Sequence, residues 1–374
     1  MMQHPDEQWY VIRNIEELDS PALVIYPDRV TANIRTARNM VKDPALLRPH
    51  VKTHKSPDAA RLQMAEGITK FKCATIAEAE MLALAGAQDV LLAYQPVGPK
   101  IDRLRTLVRR YPRTDFACLV DDDGAAAHIA EAFAGEPAPL RIFLDLNVGM
   151  NRTGIVPGRD ALQLFHVCLS MKGITPAGLH AYDGHIHDRD PMRRSELCDS
   201  AYVPVSAMQQ EIARAGCGLP TIIAGGSPTF PMHARRPDVE CSPGTFVYWD
   251  KGYLEGLPDQ NFLPAALVVT RVISRPGPKI LCLDLGHKSV AAENDLQHRV
   301  AFLNAPEVEI ISQSEEHLVI RTADAGTYAL GDVFYGIPFH ICPTCALYDR
   351  ATTVVDHLTC GEWSILARNR SIET

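Results

Sequence analysis

A (β/α)8 barrel joined to a smaller β-rich domain is the fold class predicted for this sequence of 374 residues. Three observations carry the prediction. From about Ser20 to Val247, short runs rich in Val, Ile and Leu alternate with longer helical stretches, the pattern of parallel βα units. After about Gly256 the alternation gives way to short β-rich pieces divided by Pro and Gly turns. A composition of 46% hydrophobic and 22% charged residues is enough for a sizeable core. The expected division is a barrel over 21–255, with 1–20 and 256–374 forming the β-rich domain. A doubly wound open sheet is the alternative for the first part.

The expected strands, in order, are Ala22–Tyr26, Leu46–Lys52, Thr69–Ala74, Val90–Tyr94, Asp115–Val120, Arg141–Leu146, Gly173–Tyr182, Thr221–Ala224 and Thr245–Trp249. A barrel needs eight, so one of these belongs elsewhere. Helices are expected between them at Pro57–Ala65, Ile76–Ala85 and Ser195–Ala215, the first opened by Ser56 as N-cap and Pro57 at the first helical position. The later β pieces are Ala265–Ile273, Ile280–Leu285, Val308–Ile311 and His317–Ile320, and the extended-looking Trp9–Ile12 suits the same domain.

A formal net charge of −8 offers no general attraction to nucleic acid or to anionic membrane surfaces, so neither is expected as a partner. The polar stretch Met1–Asn14 lacks a signal-peptide core and no run is long enough to span a membrane, which predicts a cytoplasmic protein. Its 10 cysteines are scattered and read as free thiols. Cys342 and Cys345 form a lone C-x-x-C without the second pair a structural zinc needs.

The segment Arg48-Pro49-His50-Val51-Lys52-Thr53-His54-Lys55 carries the most chemistry. As a strand it would turn Arg48, His50, Lys52 and His54 to one face and Pro49, Val51 and Thr53 to the other. Strands of a parallel barrel are covered on both faces, and buried basic groups need an anion or acid to meet them. A cofactor phosphate would supply that anion, and a desolvated lysine crowded by cations is a competent amine nucleophile for a Schiff base.

Further motifs follow along the chain. Asp145-Leu146-Asn147-Val148-Gly149-Met150-Asn151-Arg152-Thr153-Gly154 closes a strand at a glycine-rich turn, and its arginine fork suits a planar oxyanion. Gly225-Gly226-Ser227 and Pro243-Gly244-Thr245 lie near late strands, where barrels bind phosphate through backbone N–H groups. Tyr182-Asp183-Gly184-His185-Ile186-His187-Asp188 stands at a strand end, where the catalytic groups of barrels gather. Near the C-terminus, His340-Ile341-Cys342-Pro343 reads as an extended segment with an imidazole and a thiol on one side, a borderline-soft pair best matched to zinc. No G-x-G-x-x-G opens a helix after the first strand, so a nicotinamide cofactor finds no support.

In these motifs and their order, over nearly its whole length, the chain resembles the D-threonine aldolase and D-serine dehydratase group, distant relatives of alanine racemase. The resemblance implies pyridoxal 5'-phosphate held on Lys52 and not Lys55, with His50, Arg152, Tyr182, Gly225, Gly226, Ser227, Gly244 and Thr245 around it. It implies a general base in the Tyr182 loop, for which His187 is preferred while His185 and Asp188 are eligible. It also implies a divalent ion on His340 and Cys342, zinc first and manganese second, and a homodimer. The expected reaction is cleavage of a small D-3-hydroxy amino acid such as D-threonine to glycine and an aldehyde. Many aldolases of the group carry aspartate where Cys342 stands and the dehydratases carry cysteine, so dehydration of D-serine or 3-hydroxy-D-aspartate is the alternative. A racemase has no use for the metal. From another class, a non-catalytic cofactor-binding homeostasis protein would resemble the barrel alone.

Overall fold

The computed structural model describes residues 8–374, so residues 1–7 of the polar N-terminal stretch lie outside the described residues. It divides into two compact units: a β-rich one, of residues up to Asn33 with Val247–Glu255 and Phe262–Arg368, and a barrel one, of Ile34–Phe246, Gly256–Asn261 and Asn369–Thr374.

The first strand, β1 (Ala22–Ile25), is the candidate that belongs elsewhere: it lies in the β-rich unit, antiparallel to one neighbour and parallel to another. The barrel unit is built on β2 (Lys70–Cys73), β3 (Asp89–Leu92), β4 (Asp115–Val120), β5 (Leu140–Leu146), β6 (Ile174–Ala181), β7 (Thr221–Ala224) and β8 (Val239–Cys241), all parallel and paired in chain order. The eighth position is filled by the extended segment around Leu47–His50. On one side Arg48 N–H donates to the Cys241 carbonyl at 2.8 Å and His50 N–H to that of Pro243 at 2.9 Å. On the other, Val51 N–H donates to Lys72 and Lys72 N–H to Pro49, both at 2.9 Å, and the sheet closes.

Two of the expected strands are corrected. Leu46–Lys52 is trimmed at both ends, by a 3-10 turn at Pro44–Leu46 and by a turn over residues 51–54 that an α-turn bond from Lys55 N–H to the Val51 carbonyl locks at 2.9 Å. Thr245–Trp249 is not a strand: Thr245–Val247 is a 3-10 turn, and the last barrel strand is the three-residue β8, too short to give a periodic signal. The helix Pro57–Ala65 starts as predicted, with the Ser56 hydroxyl accepting from Asp58 N–H at 3.3 Å.

The β-rich unit continues with β9 (Ala266–Gly277), β10 (Ile280–Leu283), β11 (Val300–Phe302), β12 (Glu309–Gln313), β13 (Leu318–Arg321), β14 (Val333–Pro338), β15 (Arg350–Val355) and β16 (Leu358–Ser364). Their order is β12-β13-β10-β9-β1-β15-β16, with β14 bridging β9 and β11. Its core packs Tyr10 and Ile12 with Val24, Tyr26, Leu267, Val269, Tyr335, Ile337 and Val354. Each fully buried side chain of this size contributes roughly 1.5–3 kcal/mol. Residues 9–12 therefore join this unit through side chains rather than as a strand.

Candidate functional site

Two layers of charge fill the barrel. At the N-terminal ends of the strands, Arg48 is 1% exposed and fully met by acids. Its Nε donates to Glu240 Oε2 at 2.7 Å, and its two terminal nitrogens grip Asp89 at 2.6 and 3.2 Å. Lys70 shares Glu240, and Arg141 bridges Asp89 and Asp115 at 3.0 and 2.8 Å. Burial opposes the Arg48 charge, but Glu240 and Asp89 outweigh it and hold the guanidinium pKa above its usual value. Of the anion or acid expected to meet these cations, Arg48 finds the acid: protein carboxylates and not a cofactor phosphate surround it.

The other three cations of the segment do not share one face, because the alternation ends at the turn. His50 points into the barrel, where burial and then the Lys72 and Lys52 cations hold its pKa well below the usual value. Its Nδ1 accepts from Lys52 N–H at 3.2 Å. His54 folds away against the helix Pro57–Ala65, with Nδ1 accepting from Ser56 N–H at 3.1 Å, and burial pushes its pKa down to about 3. Lys52 is exposed at the C-terminal mouth, not desolvated as expected. Lys55 is engaged by the fully buried Glu78 carboxylate, which leaves Lys52 the available amine of the two.

The loops of the mouth are shaped by close approaches that only glycine allows. A Cβ on Gly244 would stand 2.9 Å from the His50 carbonyl, so the Pro243–Thr245 turn lies directly on the lysine segment. The Gly244 and Thr245 N–H groups both point to the Ser227 hydroxyl, at 3.3 and 3.2 Å. The Tyr182 ring is held between Gly184 and Gly226, where a Cβ would come within 2.4 and 2.9 Å of it. Gly225 takes a left-handed φ of 78°, and a Cβ there would strike the His233 ring at 2.6 Å. Arg152, exposed on the 147–154 turn, lays its guanidinium 5.0 Å from the centre of the Tyr182 ring. Asn147 braces that turn by accepting from Gly149 and Asn151 N–H at 3.1 Å each.

His185, His187 and Asp188 are all exposed, and His185 packs on Gly149, where a Cβ would lie 2.8 Å from its Nε2. Below them lies a cluster that sequence reasoning missed: Lys72 Nζ stands 3.4 Å from His180 Nε2, whose Nδ1 meets Asp145 Oδ1 at 2.7 Å. A second missed cluster joins Asp183, Cys198 and His233, with donor atoms within 4.8 Å of one another, a spacing at which a metal ion could be held. Asp183 there accepts from Thr229 Oγ1 at 2.8 Å and from His233 Nε2 at 2.9 Å, and Arg236 donates to the other His233 nitrogen. The imidazole therefore keeps its proton toward Asp183, an arrangement of satisfied hydrogen bonds that an ion would have to break. The three residues come from distant points in the chain, and no local spacing announces them.

In the β-rich unit, the expected extended run at His340–Cys342 is corrected. His340 is the N-cap of a short helix, Ile341–Ala346, so Cys342 and Pro343 lie in its first turn, where proline is tolerated because the N–H groups have no intrahelical partner. The pair still converges. Burial works against a charged His340, but Cys342, Asp250 and Glu293 outweigh it and push the imidazole up to about 9. Glu293 bonds directly to His340 Nδ1 and Cys342 lies beside the same imidazole. An imidazole next to a thiol is a pair of ligand types that suits a borderline divalent ion, although among the described residues the three do not gather into one ligand cluster.

Comparison with known proteins agrees with this architecture. The family model described as "Alanine racemase, N-terminal domain" matches residues 25–251, and that of a "Putative serine dehydratase domain" matches residues 265–354. The chain is 29% identical to a D-threonine aldolase of Arthrobacter sp. over 96% of its own length and 94% of that protein's. It is 25% identical to the D-threo-3-hydroxyaspartate dehydratase of Delftia sp. (strain HT23), over 88% of this chain and 93% of that one. Among solved structures, D-threonine aldolase from Filomicrobium marinum superposes with a TM-score of 0.87 at 28% identity, covering 94% of this chain and 96% of that one. Among the described residues, no helix is long and apolar enough to cross a membrane.

Proposed function

We propose that this chain, which belongs to the alanine racemase N-terminal domain family, is a pyridoxal-phosphate and divalent-metal lyase that cleaves D-3-hydroxy amino acids such as D-threonine to glycine and an aldehyde. The observation that carries the proposal is the barrel mouth, where an exposed amine, Lys52, lies beside a turn whose Gly244 and Thr245 N–H groups converge on the Ser227 hydroxyl. Converging backbone donors suit a phosphate. Gly225 and Gly226 allow the neighbouring loop its close approach, and the buried Ser242 hydroxyl has no hydrogen-bond partner among the described residues.

In this reading Lys52 holds the cofactor covalently while Ser227, Gly244 and Thr245 take its phosphate. Tyr182 and His50 would contact the cofactor, and Arg152 would orient an anionic group of cofactor or substrate. The bound cofactor supplies an electron sink for a bond broken at the substrate α carbon. His187 takes the proton from the substrate hydroxyl, with His185 and Asp188 as the competing assignments. A positioned base of this kind contributes roughly 10²–10⁴ in rate. His340 and Cys342 would hold the divalent ion, zinc in preference to manganese, and such an ion would supply Lewis acidity toward an oxygen ligand. The enzyme is proposed to work as a homodimer in the cytoplasm.

Cys342 favours a second reading, the dehydration of D-serine or 3-hydroxy-D-aspartate. Solved variants of a D-threo-3-hydroxyaspartate dehydratase replace by alanine a histidine and a cysteine two positions apart, and the cysteine variant is in a metal-free form. Incubation with D-threonine separates the two. The aldolase releases glycine and acetaldehyde, slowed far more in turnover than in binding by His187→Ala. Ammonia and a 2-oxo acid without glycine would establish the dehydratase instead.

A further inference from the structure

We propose that Lys72 is a positioning residue of the barrel site: it fixes His180 as a neutral imidazole with its proton on Nδ1, and it sets the charge of the pocket floor beneath Lys52, Arg152 and Tyr182. That the floor serves a cofactor rests on the reading above; the Lys72–His180 relation does not.

Lys72 is the third residue of β2, its side chain is turned into the barrel, and it is 2% exposed. A lysine so placed needs an acceptor. Among the described residues the one within reach is His180 Nε2, at 3.4 Å. An ammonium can only donate, so this nitrogen must carry the lone pair and the ring proton must sit on Nδ1. Asp145 Oδ1 waits there at 2.7 Å, as a carboxylate accepting that proton requires. The three residues thus form a line in which each group fixes the proton of the next. The line ends under the mouth: the ammonium lies 5.6 Å from the centre of the Tyr182 ring, the ring that Arg152 also covers.

Charge arriving from every neighbouring element decides how readily Lys72 holds its proton. His50, from the segment that closes the barrel, and the Lys52 and Arg152 cations at the mouth face it, opposed by Asp145 on β5 and Asp183 after β6. Burial is the largest effect, and with the cations it outweighs the two acids and lowers Lys72 to about 7. His180 is lowered as well, by burial first and Lys72 next, against the pull of Asp145. Near neutral pH the floor therefore gains or loses one positive charge while His180 stays neutral. No other lysine among the described residues combines near-complete burial with an imidazole as its hydrogen-bond partner.

The test follows His180 by nitrogen NMR in cofactor-loaded protein labelled with ¹⁵N-histidine, its signals assigned by His180→Asn. In the wild type the His180 nitrogens should shift in one step with its midpoint near pH 7, the Nδ1 proton being retained throughout, and turnover should show a limb at the same pH. Lys72→Arg, which keeps the cation, should remove both. In Lys72→Met, His180 should instead become an imidazolium as the pH falls from 8 to 5. If Lys72→Met does not fold, the wild type and Lys72→Arg decide the matter. Absence of a wild-type step between pH 6 and 8, or a step unchanged in Lys72→Arg, would overturn the proposal. The same titration on cofactor-free protein separates the two readings: a failure of pyridoxal phosphate to bind would sink the cofactor assignment and leave the His180 step in place.

Discussion

Two buried cations of the same barrel, Arg48 and Lys72, have opposite surroundings. Arg48 meets two carboxylates in a network at the N-terminal strand ends, and its charge is favoured. Lys72, toward the other end, meets an imidazole, with cations above it, and its charge is disfavoured. Equal burial thus gives opposite proton affinity, because the partners and not the depth decide whether a buried charge stabilises or strains the fold. The first layer reads as scaffold. The second is the kind of environment in which chemistry is tuned.

The comparison can be broken most directly at the mouth. Lys52→Ala should abolish the visible absorbance of bound cofactor while Lys55→Ala retains it, and because Lys52 is exposed the unfolding free energy of cofactor-free protein should change by no more than roughly 0.5 kcal/mol. Loss of absorbance in Lys55→Ala alone would mean that the wrong amine has been assigned to the site.

The scaffold layer should respond in the opposite sense. Arg48→Met leaves Glu240 and Asp89 without their main partner, and a stability loss of about 3–5 kcal/mol is expected in urea melts. A loss below about 1 kcal/mol would show that Lys70 and Arg141 can satisfy these acids unaided.

Lys72→Met is expected to stabilise the fold at neutral pH, by on the order of 1 kcal/mol, because it removes a cation the barrel holds against its desolvation cost. The pH dependence sharpens this. Folded Lys72 titrates near 7 and the unfolded side chain near 10.5, so between those values the unfolded chain binds more protons and wild-type stability rises with pH. The advantage of Lys72→Met should therefore be full at pH 7 and fade toward pH 10.5. A constant difference across that window would show that the lysine is not held neutral.

The smallest expected effect is at Gly226. A methyl group there must displace the Tyr182 ring, so Gly226→Ala should weaken cofactor affinity, by roughly tenfold, with a change in stability of about 1 kcal/mol or less. Unaltered affinity would remove Tyr182 from the cofactor contacts.

Features whose cause is local were legible in the sequence. Ser56-Pro57 opens a helix because cap and first turn are set by adjacent residues, and the glycines at 225, 226 and 244 mark turns because only a residue without Cβ fits there. The βα alternation predicts a barrel for the same reason, since each unit carries its own period. Features whose cause is distant were not legible. Arg48 reads as one of four aligned cations until Glu240, 192 residues away, is folded against it. Lys72 has only apolar and charged neighbours in sequence, and its partner His180 lies 108 residues on. Backbone propensity and turn chemistry act over a few residues and can be read in order along the chain. The solvation and proton affinity of a buried charge depend on which strands closure of the barrel brings side by side, and that was decided only in the tertiary structure.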